Sequence, residues 1–301
     1  MRFHEINDIP VHISEVYLFI SFEERCLTVA NYLYESGFSG IVRAFYCMDS
    51  YAEALEVNRS KLIKMFPKCE WIPVSYRDPL PMVLYCRKMD RNIDYLLDIS
   101  CFNRENLFTF LWASQIGRVY YPSVCFSYCS PKTYGPWLSA KYDRARNLLG
   151  FSGSDEPLPK RHLICCVGYE SERAVQVIEA IEPSSVTLVL GSTPTRAEFL
   201  ERNQAAVEEV MGSSNYNIKQ INVVDPNSSY DDLLSIVNEL PQYTSIHFAT
   251  FNTKVSCLAA FSLWLKRPDI RIWNSTPKLY NPCYSDGSHP PKLFQVKWHN
   301  E

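Results

Sequence analysis

The sequence predicts an α/β fold built from two tandem, duplicated Rossmann-like units with mainly parallel sheets. Three observations lead there: the chain length, an acidic-Arg motif that twice follows an apolar run, and strands that alternate with helix-period segments. At 301 residues the chain exceeds the roughly 250 residues beyond which one core stops growing. Two domains are therefore expected, residues 1–155 and 156–301.

The motif comes first. Val16–Ile20 runs into "SFEERC", and Leu163–Val167 runs into "GYESER". Glu23 matches Glu170, Arg25 matches Arg173 and Asn103 matches Asn252, at offsets of 147, 148 and 149 by subtraction. Internal repeats are sought before any fold is assigned, because they decide its architecture. Cys26–Ser36 and Ala174–Ile181 then place apolar residues three and four apart, the spacing of a helix with one buried face. Each half returns to a strand, "GIVRAFYC" (Gly40–Cys47) and "SVTLVLG" (Ser185–Gly191), rich in β-branched or aromatic residues.

Later, "YLLDISCFNRENLFTFLWAS" (Tyr95–Ser114) parallels "SIHFATFNTKVSCLAAFSLWL" (Ser245–Leu265) as strand, Phe-Asn turn and amphipathic helix. Short strands follow at Arg118–Tyr121 and Ile270–Trp273. Parallel strands need crossover connections, so this alternation predicts helices on both sheet faces. The segment Ser130–His162 is rich in Gly, Pro and Ser near its end and reads as a surface connection. Within it, Ser139–Leu149 is expected to be a helix packed on the first half. Lys292–Trp298 adds one more strand.

Composition narrows the function. A net charge of -3 offers no broad attraction for nucleic-acid phosphates. No apolar stretch reaches the roughly 18 residues that span a bilayer, and the start lacks a signal-peptide layout, so a cytoplasmic protein with no membrane partner is expected. The cysteines number 11, an odd count, and most sit in apolar runs, as reduced core residues do. With no CxxC pair, neither a metal nor a cofactor is expected. GxGxxG, Walker A, GxSxG and HExxH patterns are all missing, which removes standard nucleotide cradles and two common hydrolase routes.

In open parallel sheets ligands bind at the carboxyl ends of the strands. Glu23, Glu24, Arg25, Glu170, Glu172 and Arg173 fall there, as do Asn103, Arg104, Asn252, Thr253 and Lys254. The carboxylates also fit helix capping, where the dipole favours acids. Arg25 and Arg173 oppose that dipole, which points to a carboxylate partner or an anionic ligand. The expectation is a ligand for Arg25 and a Glu170 pair for Arg173. "GSTPTR" (Gly191–Arg196) suits a phosphate through Ser192 and Thr193, or a Ser/Thr cap with proline at an early helical position. His247 is expected in the core, and His289 in a loop. Asp98 ends a strand near Glu23 and Glu24, and paired carboxylates of this kind serve glycosyl transfer. Aligning Asn103 with Asn252 sets Asp98 against His247.

The segment "IHFATFNTKVSCLAAFSLWL", with its Thr-x-Asn-Thr-Lys turn, resembles the ligand-facing turn of CARF-like Rossmannoid domains. The resemblance covers about twenty residues and lacks the usual glycine pair. It implies that Thr250, Asn252, Thr253 and Lys254 face a nucleotide phosphate, in a sensor or effector of prokaryotic antiviral defence. Two functions stay open: a nucleotide-binding module, and an N-glycosidase-like enzyme using Asp98 with Glu23 or Glu24. Expected partners are a nucleotide or other phosphate-bearing small molecule, another protein of the same system, and a second copy of the chain.

Overall fold

The computed structural model describes residues 1–47, 52–116, 123–143, 145–154, 160–193, 197–212, 214, 216–281 and 283–297. The chain forms two α/β units, Met1–Leu138 with Tyr280–Glu301, and Ser139–Leu279. The single boundary expected near residue 155 is replaced by two crossings, after Leu138 and after Leu279.

Unit 1 begins with β1 (Arg2–Ile6) and β2 (Glu15–Ile20). A 3-10 turn (Glu24–Leu27) leads into α1 (Thr28–Glu35), followed by β3 (Ile41–Cys47) and α2 (Ala52–Met65). Next come β4 (Glu70–Val74), α3 (Leu80–Cys86), β5 (Tyr95–Asp98) and α4 (Arg104–Ala113). β6 (Val124–Tyr128) and β7 (Pro131–Tyr134) complete the first segment, while β16 (Ser285–Ser288) and β17 (Lys292–Lys297) come from the returning one. The strand expected at Arg118–Tyr121 lies outside the described residues, and β6 (Val124–Tyr128) follows them as the next strand of the sheet.

The sheet order is β1-β17-β6-β5-β2-β3-β4. From β6 to β4 all pairings are parallel, and β17 lies antiparallel to both β6 and β1. Every residue of β2 is buried, as expected for a central parallel strand covered on both faces.

Unit 2 contains β8 (Ser139–Tyr142), β9 (Arg146–Ser152), β10 (Lys160–Cys166), α5 (Ser171–Ile181) and β11 (Ser185–Ser192). It continues with α6 (Ala197–Met211), β12 (Asn217–Asn222), α7 (Pro226–Asn238), β13 (Thr244–Thr250) and α8 (Lys254–Lys266). β14 (Arg271–Asn274) and β15 (Pro277–Tyr280) close it. The order β12-β11-β10-β13-β14 is parallel throughout, and β9 pairs antiparallel with β14.

Numbered within each unit, both parallel arrays run 3-2-1-4-5, each flanked at strand 5 by an antiparallel strand. The helix expected at Ser139–Leu149 is instead β8 and most of β9. β9 pairs with the open edge of β14 and satisfies its ladder, while β8 pairs with β15.

Candidate ligand site at the strand ends

The strand order reverses between β2 and β5 in unit 1 and between β10 and β13 in unit 2. Such a switch point leaves a crevice at the carboxyl ends, because the connections leave to opposite sides. Glu23 and Arg25 in unit 1, and Glu170 and Arg173 in unit 2, lie just past the first of these strands, at helix starts as expected.

In unit 1, Arg25 donates from Nε and Nη2 to the Glu23 carboxylate at 2.8 and 3.2 Å, and from Nη1 to the Cys129 carbonyl at 2.9 Å. Ser285 donates to Glu23 at 2.6 Å. The chain of bonds continues from the Cys129 amide to Ser100 Oγ at 2.8 Å, and from Ser100 Oγ to Asp98 Oδ1 at 2.5 Å. Ser127 donates to the same oxygen at 3.1 Å. Seven residues thus tie the ends of β2, β5 and β6 to β16. The ligand expected for Arg25 is corrected by this geometry: its guanidinium is held by Glu23 and a carbonyl, inside the protein. Glu24 is exposed and pairs with Lys61 at 2.9 Å, away from this chain of bonds.

Asp98 is 1% exposed, and its Oδ2 makes no hydrogen bond. Burial pushes its carboxyl up to about 6, against the Ser100 and Ser127 bonds and the Arg25 charge, which favour ionisation. Burial also raises the Cys26 thiol to about 12 and Cys101 well above its usual range. Neither thiol is a nucleophile at neutral pH.

In unit 2, Glu170 accepts from Ser139 and holds Arg173 at 3.1 Å. Arg173 also donates to the Ser275 carbonyl and to Asn274 Oδ1, both at 3.0 Å, and lies over the Phe251 ring. Gly168, at φ +70°, lets β10 turn here, and a Cβ on it would collide with the Phe251 carbonyl.

The second strand ends differ. Asp98 pairs in register with Ser127, and Ala249 with Trp273, so the strand ladder matches Asp98 to Ala249. His247, expected opposite Asp98, sits two residues earlier. Asn103 caps α4 by accepting from the Asn106 amide at 2.8 Å, whereas the cap of α8 is Thr253, accepting from Ser256 at 3.4 Å. Asn103 therefore corresponds to Thr253, and Arg104 to Lys254, each the first residue of its helix. Thr253 also donates to the Val223 carbonyl at 2.7 Å, and Thr250 shares a 3.0 Å bond with Ser256. Both hydroxyls expected to face a phosphate are thus engaged within unit 2, and Asn252 is buried.

The Gly191 amide donates to Asn203 at 2.5 Å, and Ser192 Oγ donates to the Ile221 carbonyl at 3.2 Å. The Ser192 hydroxyl expected for a phosphate thus serves the strand end. Thr193 follows them, while Pro194–Arg196 lie outside the described residues.

Pattern reading missed Ser139 and Ser285. Their signal was present: "PKTYGPWLS" (131–139) and "PKLYNPCYS" (277–285) share Pro-Lys-x-Tyr-x-Pro-x-x-Ser at an offset of 146 by subtraction. It also missed the aromatic residues beside them. Among the described residues no helix is long and apolar enough to cross a membrane, and no group of three His, Cys, Asp or Glu side chains is placed to hold a metal.

No family model matches the chain, and no curated protein does. Among solved structures, the leucoanthocyanidin reductase–NADPH complex of Vitis vinifera aligns at 9% identity over 85% of this chain and 88% of that one, with a TM-score of 0.29. A universal stress protein from Archaeoglobus fulgidus DSM 4304 aligns at 11% identity over 88% and 97%, with a TM-score of 0.27. Scores this low carry no argument about ligand or reaction; the α/β class rests on the strand pairing itself.

Proposed function

We propose that the protein is a nucleotide-binding module of the sensor or effector kind, with its ligand at the carboxyl ends of β2 and β5 in unit 1. The observation that supports this is the switch point, where α4 begins with Asn103 and Arg104 at the edge of the sheet. A helix N-terminus with a cation as its first residue suits a phosphate. In unit 2 the corresponding Thr253 is engaged in capping and in a bond to Val223, so that unit supports rather than binds. Descent of both units from one duplicated ancestor is part of the same proposal, as is the antiviral role implied by the CARF-like resemblance.

A thermal-shift panel of mononucleotides, dinucleotides and cyclic oligonucleotides tests it. A nucleotide raises the melting temperature of the wild type, and Arg104→Ala removes most of that shift, measured against the free variant's own melting. No shift from any nucleotide overturns the proposal. A shift that survives Arg104→Ala and is lost in Lys254→Ala moves the site to unit 2.

One observation favours a second reading, nucleoside cleavage. Asp98 is a buried carboxyl raised to about 6, and Glu23, in the same chain of bonds, is paired with Arg25 at 2.8 Å; two carboxyls in such different environments suit acid and base roles. Asp98→Asn then abolishes base release from a nucleoside panel; absence of any such release in the wild type removes this reading.

A further inference from the structure

α2 shows the solvent a face that its place in the fold does not explain. Leu55, Asn58 and Leu62 turn inward and are buried, and Asn58 donates to the Ser21 carbonyl at 2.9 Å, which fixes the rotation of the helix. Glu53, Glu56, Val57, Ser60, Ile63 and Lys64 follow one another at steps of three and four on the opposite side, and all are exposed. Val57 is 52% exposed and Ile63 40%. β-Branched side chains lose rotamer freedom in a helix, a cost that packing ordinarily offsets; here both face water. The charges are sorted by end, Glu53 and Glu56 in the first half and Lys61 and Lys64 in the second. Lys61 is held by Glu24 at 2.9 Å, Glu56 reaches Arg59 only at 3.6 Å, and Lys64 makes no ion pair among the described residues. Just past the helix, the exposed Tyr34 meets Phe66 and extends the apolar surface.

We propose that this face of α2 is a two-fold interface with α2 of a second copy of the chain, the helices antiparallel and crossing at Ser60. Charge complementarity selects that occupant. A two-fold contact sets one surface against itself, so the surface has to be its own complement. Reversing α2 about Ser60 brings Glu56 level with the partner's Lys64 and Val57 level with the partner's Ile63, and the symmetry makes each contact twice. A parallel copy would set Glu56 on Glu56 and Lys64 on Lys64. Ser60, at the crossing, is small enough for the two helices to approach. The helix dipole favours the same order of charges within a single helix, but it does not call for Val57 and Ile63 between them, and an antiparallel copy covers both. One helix with its flanks buries less than a standard interface of about 1,600 Å², so the dimer forms reversibly as concentration rises.

Sedimentation equilibrium of the full chain, over a range of protein concentrations at low and high salt, tests the contact; circular dichroism and melting show that each variant is folded. The wild type associates to a dimer, and more weakly at high salt, because its ion pairs lie at the surface. Glu56→Lys and Lys64→Glu each weaken the dimer about 2- to 30-fold, the range for two exposed ion pairs lost at once, and the double variant restores it. Val57→Ser weakens it about 10-fold or more, since each substitution acts twice across the axis. Should a single charge variant melt early, the double variant carries the test, because restored association cannot come from misfolding. A wild type that stays monomeric up to about 1 mM overturns the interface. A dimer that none of these variants weakens forms through another surface, and overturns it as well. Loss in both single variants without recovery in the double overturns the antiparallel pairing of Glu56 with Lys64.

Discussion

Arg25 and Arg173 occupy equivalent turns, and both are buried against a glutamate, a backbone carbonyl and a strand from outside the local sequence. Their partners are distributed differently. Arg25 makes two bonds to Glu23 and one to the Cys129 carbonyl. Arg173 makes one bond to Glu170, two to neutral oxygens, and rests on the Phe251 ring. A buried cation depends on whatever replaces its water, so the unit with fewer alternative partners depends more on its carboxylate.

That difference gives the largest expected effect. Glu23→Gln leaves a buried guanidinium with no counter-charge, which costs about 3–5 kcal/mol. Glu170→Gln leaves Arg173 with two good acceptors and a π face, so the cost is about 1–3 kcal/mol, the scale of weakened hydrogen bonds to a charge. Urea unfolding of the two variants measures both. Equal losses would mean that the ring and the amide acceptor contribute nothing.

The contrast also explains what was legible in the sequence. The two Glu-Arg motifs stand out because a cation in a first helical turn asks for a partner, and the parallel arrays follow from local alternation of strand and helix. What is not local was lost. β8, β9, β16 and β17 pair with strands far away in sequence, and no periodicity states which sheet a strand will join. Proline and glycine in "PKTYGPWLS" read as a connection, although the same spacing recurs in "PKLYNPCYS". The shift between Asn103 and Thr253 was hidden for a related reason. Matching Phe-Asn to Phe-Asn ignores the loop, which runs five residues from Asp98 to its cap but four from Ala249 to the other, by subtraction.

The units diverge again in what they bury within the strand paired to the first. Unit 1 holds Asp98 with its carboxyl raised to about 6 from 3.8. Unit 2 holds His247, whose ring lies tilted against Trp273 and is pushed down to about 4 by burial, then by Arg271 and Arg161. The signs oppose. Between pH 3.8 and about 6 the native Asp98 keeps a proton that the unfolded chain has released, so its contribution to stability falls as pH rises, by about 3 kcal/mol across the window. The native His247 refuses a proton that the unfolded chain takes up below about 6.5, so its contribution is present at neutral pH and is lost as pH falls toward 4. Asp98→Asn should therefore gain stability relative to wild type on going from pH 4 to pH 7, and His247→Gln should flatten the acid limb. Parallel pH profiles for all three proteins would mean that neither group is desolvated as the structure has it.

The smallest effect concerns the two serines that close the clasps. Ser285 donates to Glu23 from β16, and Ser139 donates to Glu170 from β8. Both serve a glutamate already held by arginine, so each hydroxyl adds one charge-assisted bond and no counter-charge, which is worth about 1.5–3 kcal/mol at most. The two should not respond alike. Glu170 has a second hydroxyl within reach, Tyr142 at 3.4 Å, which can take over part of the bond when Ser139→Ala is made. The Glu23 oxygen that accepts from Ser285 also accepts from Arg25 at 2.8 Å, so Ser285→Ala leaves the carboxylate charge satisfied and removes the tie to β16. The expected losses are about 1 kcal/mol for Ser139→Ala and about 2 kcal/mol for Ser285→Ala. Hydrogen exchange of the β7 and β16 amides gives the sharper reading: Ser285→Ala speeds exchange there before it changes global melting, since the ribbon opens without the sheet. Exchange that rises only together with global unfolding would show that β16 is held by its pairing with β7 and not by the clasp.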